Sequence, residues 1–319
     1  MDDLFRSTSR RSRPILADMT RPIGIDLFAG AGGLSLGFEQ AGFDVVAAVE
    51  IDPVHAAVHE FNFPHCTVIP RSVTDLTGKM IRKAAGIGER TVDVVFGGAP
   101  CQGFSLIGHR AFDDPRNSLV KDFVRIVREL ESEYFVFENV KGLTVGKHRK
   151  FLDELIQEFS AAGYDVVESW RVLNAYEYGV PQDRQRLFLL GAKKGRKLPS
   201  YPAPITSKPG RAEAAQPSAP TCADALKDLP DAERFKRLNV SDEVEVKKWG
   251  ATSAYGKLMR CEVPEGWAYG YQRKWNPNLL TSSMRSEHTD ISRARFAATK
   301  PGEVEPISRF FRLPPDGVS

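Results

Sequence analysis

Long apolar runs are absent from this sequence of 319 residues. A membrane-spanning helix needs about 20 consecutive apolar residues, and the apolar runs here are short and interrupted by glycine or charge. The amino-terminal segment has basic residues but lacks the apolar core of a secretory signal. We therefore expect a soluble, cytoplasmic protein with no membrane partner.

Cysteine is also scarce. Its four residues, Cys66, Cys101, Cys222 and Cys261, are far apart, and none forms a CxxC pair. This scatter argues against a disulfide framework or a zinc site, so we expect no metal. A reducing compartment would keep a reactive thiol available for chemistry.

The sequence has little excess of charge of either sign, since its net charge is only +3. That value alone gives little support for a nucleic-acid partner. The distribution is uneven, because residues 192–211 contain six basic residues and no acid. This strip fits either a solvated linker or a segment that contacts phosphates.

Short apolar strands alternate with amphipathic helices from residue 23 to residue 191. This alternation predicts an α/β fold, a mostly parallel sheet with helices on both faces. The predicted strands cover residues 23–28, 45–49, 92–96, 134–137, 165–167 and 186–190. The predicted domains are a flexible basic arm (1–21), a cofactor-binding and catalytic domain (22–198), a Pro/Ala/Ser-rich linker (199–221) and a loop-rich region (222–319), which fits either a part in target recognition or ordinary packed loops.

Two predicted helices show a clear apolar stripe. In one, Asp52 and Pro53 are typical of an N-cap and a first helical residue, and an apolar face follows. Its members are Val54, Ala57, Val58 and Phe61. In the other, the stripe consists of Phe123, Ile126, Val127 and Leu130.

A glycine-rich turn, Phe28-Ala-Gly-Ala-Gly-Gly33, follows the first predicted strand. Ligands of doubly wound sheets bind beyond the carboxyl ends of the strands, and glycine lets the backbone approach them closely. Glu50 ends the second strand about 20 residues later, where an acid can hold ribose hydroxyls. The glycines lack the GxGxxG order, which favours an adenosine-bearing cofactor other than NAD. A tight structural turn is the alternative interpretation.

Cys101 lies in a Gly/Pro loop, Gly97-Gly-Ala-Pro-Cys-Gln-Gly-Phe-Ser105, just past another strand. An ionised cysteine is the strongest nucleophile among side chains. An inert packing cysteine is the alternative, although such a residue belongs within an apolar strand. The loop position therefore favours a nucleophile.

Two further motifs carry candidate polar groups. Glu138, in Phe137-Glu-Asn-Val140, also follows an apolar strand and could protonate a ring nitrogen. Arg184 and Arg186, in Gln182-Asp-Arg-Gln-Arg186, share one side of a strand by period two. Each motif alone also fits an ordinary cap or surface pair.

These four motifs, in this order, resemble the cytosine-5 DNA methyltransferase family over residues 23–191. The resemblance implies a Rossmann-like methyltransferase fold that uses S-adenosylmethionine and releases S-adenosylhomocysteine. It implies that Cys101 attacks the base, that Glu138 contacts its ring nitrogen, and that Arg184 and Arg186 hold its carbonyl. The implied partner is double-stranded DNA with the target cytosine flipped out.

The resemblance also implies a set of cofactor-binding residues. Glu50 would bind the ribose, and Phe28 and Ile51 would lie near the adenine. The full set is Phe28, Ala29, Gly30, Gly32, Gly33, Glu50, Ile51, Ser72, Val73, Pro100 and Leu119. Ser72 stands where the family usually has the aspartate that touches the adenine amino group.

The family's last two motifs, a helix with Arg-Glu-x-x-x-x-Gln and a Gly-Asn-Ser-Val-like segment, are not found. We therefore expect a second polypeptide to supply them, with a truncated chain as the alternative. A tRNA methyltransferase and an inactive DNA-binding relative are alternative functions. Both Cys101 and Glu138, which inactive relatives typically lose, are present here.

Overall fold

The computed structural model describes residues 21–100, 117–146, 148–211, 216–263 and 276–319. Residues 1–20 of the predicted basic arm (1–21) lie outside the described residues. So do Cys101 and the loop that follows it. Within them, no helix is both long and apolar enough to cross a membrane.

A mostly parallel sheet forms the centre of the fold. Its strands are β1 (Ile23–Leu27), β2 (Asp44–Val49), β3 (Thr67–Ile69), β4 (Val94–Gly97), β5 (Tyr134–Val140), β6 (Tyr164–Val166), β7 (Arg171–Asn174) and β8 (Gln185–Lys193). Neighbouring strands follow the order β3-β2-β1-β4-β5-β8-β6, and β7 pairs with β8. The pairs β1–β2, β1–β4, β2–β3 and β4–β5 are parallel, and β6–β8 is antiparallel. The prediction of an α/β fold with a mainly parallel sheet is confirmed; β3 and β7 were not predicted.

Helices connect these strands. They are α1 (Gly33–Gln40), α2 (Pro53–Asn62), α3 (Gly78–Ala85), α4 (Ser118–Leu130) and α5 (His148–Ala161). The chain runs from β1 to β3 in one direction along the sheet and from β4 to β5 in the other. Because such crossovers are right-handed, α1 and α2 cover one face of the sheet and α4 covers the opposite face. The reversal of direction lies between β1 and β4.

The apolar stripe of α4 is buried, whereas that of α2 is exposed to solvent. All four stripe residues of α4 are buried in the core, as the pattern predicts. The stripe of α2 faces outward, with Val54 67% exposed and Phe61 86% exposed. The side of α2 that is buried carries Ala56 and His59 instead.

The chain divides into two compact units. The first contains the described residues up to Trp170 together with Leu187–Ser200, and the second contains Arg171–Arg186 and the described residues of Tyr201–Ser319. The described helices and strands of the second unit beyond residue 200 are short: α6 (Cys222–Leu226), α7 (Ala254–Met259), α8 (Asp290–Ala298), β9 (Val244–Glu245) and β10 (Leu279–Leu280). Part of the expected linker is hydrogen-bonded there, since Ile205 and Thr206 donate backbone N–H groups to the Glu177 carbonyl.

Candidate active site and cofactor pocket

Three strands, β1, β2 and β4, end level with one another at one edge of the sheet, and β5 continues past this level to Val140. Leu27 of β1 pairs with Val49 of β2 and with Gly97 of β4, and Gly97 pairs with Phe137 of β5. The residues that come next in sequence therefore meet at the same edge. They are Phe28, Glu50, Gly98 and Glu138. Three of the predicted motifs thus converge beside the point where the strand order reverses, which is where ligands of such sheets bind.

The glycine-rich turn is fastened to the end of β2. Ala29 donates its N–H to the Val49 carbonyl at 3.0 Å, and Gly30 donates to Glu50 Oε2 at 2.7 Å. The other carboxylate oxygen, Oε1, accepts the Asp52 N–H at 2.8 Å. Glu50 therefore fixes the turn and the start of α2 together.

The shape of the turn requires glycine at position 32. Gly32 has φ of 99°, and a Cβ there would lie 2.2 Å from the Phe63 ring. Gly33 follows as the first residue of α1. Ile51, predicted to pack on the adenine, is 67% exposed beside Glu50.

Asp26 is a buried acid that was not predicted to be part of the site. It lies in β1, is fully buried, and accepts the Ser35 hydroxyl at Oδ2 at 2.7 Å. Its Oδ1 has no hydrogen-bond partner among the described residues. Burial raises the pKa of this carboxyl to about 7, the Ser35 hydrogen bond opposes the rise, and the Glu50 charge adds to it. An acid within an otherwise apolar strand is the sequence signal that could have identified it.

Glu138 and the segment that leads to Cys101 are in direct contact. A Cβ on Gly98 would lie 2.7 Å from Glu138 Oε2, so the carboxylate occupies the space that a larger residue would need. The neighbouring Asn139 is buried and donates its side-chain N–H to the Ala99 carbonyl at 2.9 Å. Asn139 therefore ties β5 to the backbone two residues before Cys101. Pro100 follows and is exposed.

The segment after β3 is fastened to α4. Arg125 donates to the carbonyls of Val73 at 3.1 Å and Leu76 at 2.8 Å, and Asp122 accepts the Thr74 hydroxyl at 2.8 Å. Glu129 accepts the Gly78 N–H at 2.8 Å. We call these three α4 side chains, Asp122, Arg125 and Glu129, the charged brace.

The charged brace fixes the stretch that holds the predicted residues Ser72 and Val73. Val73 is buried, and Ser72 caps the turn Val73–Asp75 by accepting the Thr74 N–H. Leu119, another predicted cofactor residue, lies half-buried in the first turn of α4. The helix therefore joins two of the predicted cofactor segments.

Arg184 and Arg186 belong to the second unit. Arg184 is exposed, and Arg186 is half-buried and donates to the Gln185 carbonyl at 2.8 Å. Their neighbour Asp183 accepts hydrogen bonds from Lys208 at 2.8 Å and Asn174 at 2.7 Å. The Lys208 ammonium, with help from Asn174, lowers the pKa of the Asp183 carboxyl.

The basic strip of residues 192–211 is partly engaged within the chain. Lys193 pairs with Glu131 at 3.2 Å, Arg196 pairs with Glu133, and Lys208 pairs with Asp183. No cluster of His, Cys, Asp and Glu suited to a metal ion occurs in the described part of the chain.

Together, the fold and these residues define a Rossmann-like protein with its candidate ligand edge at the ends of β1, β2 and β4 and beside β5. Residues 23–304 match the model of the C-5 cytosine-specific DNA methylase family. The chain belongs to this family, and its activity is that of a DNA cytosine-5 methyltransferase.

Several relatives are named Type II methyltransferases. M.XorII of Xanthomonas oryzae pv. oryzae is 58% identical over 300 residues, covering 94% of this chain and 68% of that protein. M.AquIA of Picosynechococcus sp. is 41% identical over 187 residues, covering 56% of this chain and 75% of that protein. M1.HphI of Haemophilus parahaemolyticus is 43% identical over 183 residues, covering 56% of this chain and 48% of that protein. The chain thus spans about half to three quarters of the length of these relatives.

A solved structure has the same fold. A crystal structure from E. coli, described as a candidate DNA modification methyltransferase encoded within a prophage, has a TM-score of 0.71 and 30% identity. The match covers 93% of this chain and 81% of that chain. The predicted second polypeptide gains no support from these comparisons, because the M.XorII match covers nearly all of this chain.

Proposed function

We propose that this chain provides the cofactor site and the catalytic residues for methylation of carbon 5 of cytosine in double-stranded DNA. The observation that carries the proposal is the parallel register of β1, β2, β4 and β5, which brings the glycine-rich turn, Glu50 and Glu138 to one edge. Cys101 follows the segment that Asn139 ties to this edge. A nucleophile, an acid and an adenosine-binding turn are the groups that this chemistry needs.

S-adenosylmethionine fits the residues at this edge. A Cβ on Gly30 would meet no atom within 4 Å, so the turn has open space above it. Each Glu50 oxygen accepts one backbone N–H, which leaves lone pairs for ribose hydroxyls. The exposed side chain of Ile51 offers an apolar surface for the adenine. The residues proposed to hold the cofactor are Phe28, Ala29, Gly30, Gly32, Gly33, Glu50, Ile51, Ser72, Val73, Pro100 and Leu119.

Carbon 5 of cytosine is a weak nucleophile, so the chain must activate it. The Cys101 thiolate attacks carbon 6 and forms a covalent bond, which moves electron density to carbon 5. Glu138 protonates or hydrogen-bonds the ring nitrogen and so stabilises this adduct, while Arg184 and Arg186 hold the base carbonyl. When bound, S-adenosylmethionine would supply the methyl group to carbon 5 and leave as S-adenosylhomocysteine. Transfer of the carbon 5 proton to a base and elimination of the Cys101 thiolate then restore the aromatic ring.

A stacked base cannot reach the strand ends, so the target nucleotide must leave the helix. Flipping costs a few kcal/mol, and contacts of basic residues with the backbone phosphates offset this cost. The relatives are named Type II methyltransferases, which supports a role in a restriction–modification system. Such a role places the enzyme with the DNA in the cytoplasm.

Methyl transfer from labelled cofactor tests the proposal. We expect Cys101→Ala to lose transfer to double-stranded DNA while it binds S-adenosylhomocysteine like the wild type. We expect Glu138→Gln to slow transfer by roughly 10²–10⁴-fold, the range for a lost general acid. The assay is run on the chain alone and with a polypeptide that carries the two absent motifs, and tRNA replaces DNA in a parallel arm. Transfer by Cys101→Ala, methylation of tRNA only, or failure of the wild-type chain to bind S-adenosylhomocysteine would contradict the proposal.

A further inference from the structure

α2 buries a histidine and exposes its apolar stripe. His59 has no exposed surface, whereas Phe61 is 86% exposed. This is the reverse of what the burial of apolar area favours. A helix that buries its histidine must gain something from the imidazole that an apolar side chain does not supply.

The imidazole faces the glycine-rich turn. His59 Nδ1 lies 3.3 Å from the carbonyl oxygen of Gly30. A ring nitrogen that donates to a carbonyl must carry a proton, so Nδ1 is the donor, and in the neutral imidazole Nε2 is then the unprotonated nitrogen. Nε2 is buried and has no hydrogen-bond partner among the described residues. An unpaired buried nitrogen has a desolvation cost that a phenyl ring avoids. The bond to Gly30 is therefore what the histidine contributes.

The other groups of the turn have separate partners. Glu50 accepts the Gly30 N–H at 2.7 Å, and the Phe63 ring fills the space beside Gly32. Phe63 also contacts His59, with ring centroids 4.6 Å apart. Within the turn, His59 hydrogen-bonds to the Gly30 carbonyl. Glycine allows neighbouring peptide units to rotate more freely than other residues do, so an unheld carbonyl would let the turn change shape.

We propose that His59 is a positioning residue for cofactor binding: it fixes the Gly30 carbonyl so that the turn keeps the shape that receives S-adenosylmethionine. The inference rests on the proposed function, because it assumes that the turn is the cofactor site. His59 has no exposed surface, so it would support the turn from behind without contacting the ligand. Its contribution is to the affinity for the cofactor and not to the chemical step.

Two variants separate positioning from packing. His59→Phe keeps an aromatic ring against Phe63 but loses the donor, and His59→Gln keeps a donor but loses the ring. We expect His59→Phe to be at least as stable as wild type and to raise the Kd for S-adenosylhomocysteine roughly five- to tenfold, the value of one neutral hydrogen bond. We expect His59→Gln to be less stable yet to bind more tightly than His59→Phe. His55→Phe, one turn earlier on the exposed side of α2, is the matched control and should leave the Kd unchanged.

Titration calorimetry and thermal unfolding of the full chain give both readouts. A simple packing role predicts that affinity follows stability, so that His59→Phe binds like wild type and His59→Gln is the weaker binder. That result would overturn the inference and leave the proposed function intact. Failure of the wild-type chain to bind S-adenosylhomocysteine would contradict the proposed function instead.

Discussion

α2 and α4 both hold a loop at the predicted cofactor edge, but by opposite physical means. α4 uses the charged brace, whose Arg125 is partly exposed and reaches two backbone carbonyls. α2 uses a neutral imidazole with no exposed surface. The apolar stripe of α4 is buried, while that of α2 is exposed.

The difference shows what hydrophobic periodicity can and cannot establish. The stripe in each helix predicts that a helix forms, and both helices are present. The side that is buried depends on what lies opposite. For α4 this is the core, where Phe123 contacts Phe137 and Phe159. For α2 it is a glycine-rich turn whose backbone needs a hydrogen-bond donor.

Among the changes around the predicted cofactor edge, removing the cation of the charged brace should have the largest effect. Arg125→Met leaves the Val73 and Leu76 carbonyls without this donor and leaves Asp122 without its cation. We expect the free energy of unfolding to fall by about 2–4 kcal/mol and the Kd for S-adenosylhomocysteine to rise. Chemical denaturation and calorimetry measure the two effects.

Arg149→Met is the control for that variant. Arg149 pairs with Asp153 four residues along α5, and both side chains are about half exposed. Such a pair contributes only about 0.3–0.5 kcal/mol. Arg125→Lys should be intermediate, because it keeps the charge but cannot reach several acceptors at once. Equal stability of Arg125→Met and Arg149→Met would show that the brace does not hold the loop.

The sequence predicted correctly that Phe28 and Glu50 follow apolar strands. Glu138 was expected just after a strand but lies within β5, and the parallel register brings all three residues to one edge. The N-cap of α2 was also predicted correctly, since Asp52 accepts the N–H groups of Val54 and His55. These features are local, so a short stretch of sequence contains the information.

The residues behind the site were not predicted, because their roles depend on partners distant in sequence. His59 meets Gly30 from 29 positions away, and Arg125 meets Val73 from 52. β3 has only three residues, too few to show a pattern. The roles of Cys101, Glu138, Arg184 and Arg186, and those of the cofactor-binding residues, stay predictions.

Lowering the pH should reduce the free energy of unfolding through His59 of α2, by less than the loss expected for Arg125→Met in α4. Burial lowers the pKa of His59, while the Gly30 carbonyl and the Glu50 charge oppose the shift. The folded state therefore binds fewer protons than the unfolded state just below the unfolded pKa of about 6.5. Stability should fall as the pH drops through that window, by at most about 1.4 kcal/mol per pH unit for one proton.

The pH dependence is measured as a difference between variants. His59→Gln should show a smaller loss of unfolding free energy than wild type between pH 7 and pH 5, and Arg125→Met should keep the wild-type slope. Asp26 contributes a slope of opposite sign, because its pKa is raised to about 7 and its folded state holds the extra proton. Subtracting the wild-type curve removes that common contribution. Identical slopes in His59→Gln and wild type would mean that His59 does not titrate as a buried base.

The exposed stripe of α2 should give the smallest effect. Phe61→Ala removes a large side chain that is 86% exposed, so we expect a change in unfolding free energy within about 0.5 kcal/mol. Phe123→Ala, at a buried position of the α4 stripe, should cost about 3–5 kcal/mol. A Phe→Ala change in each helix, measured by chemical denaturation, thus compares the exposed stripe of α2 with the buried stripe of α4. A loss above 1 kcal/mol for Phe61→Ala would mean that the stripe is covered in solution, and the contrast between the two helices would then fail.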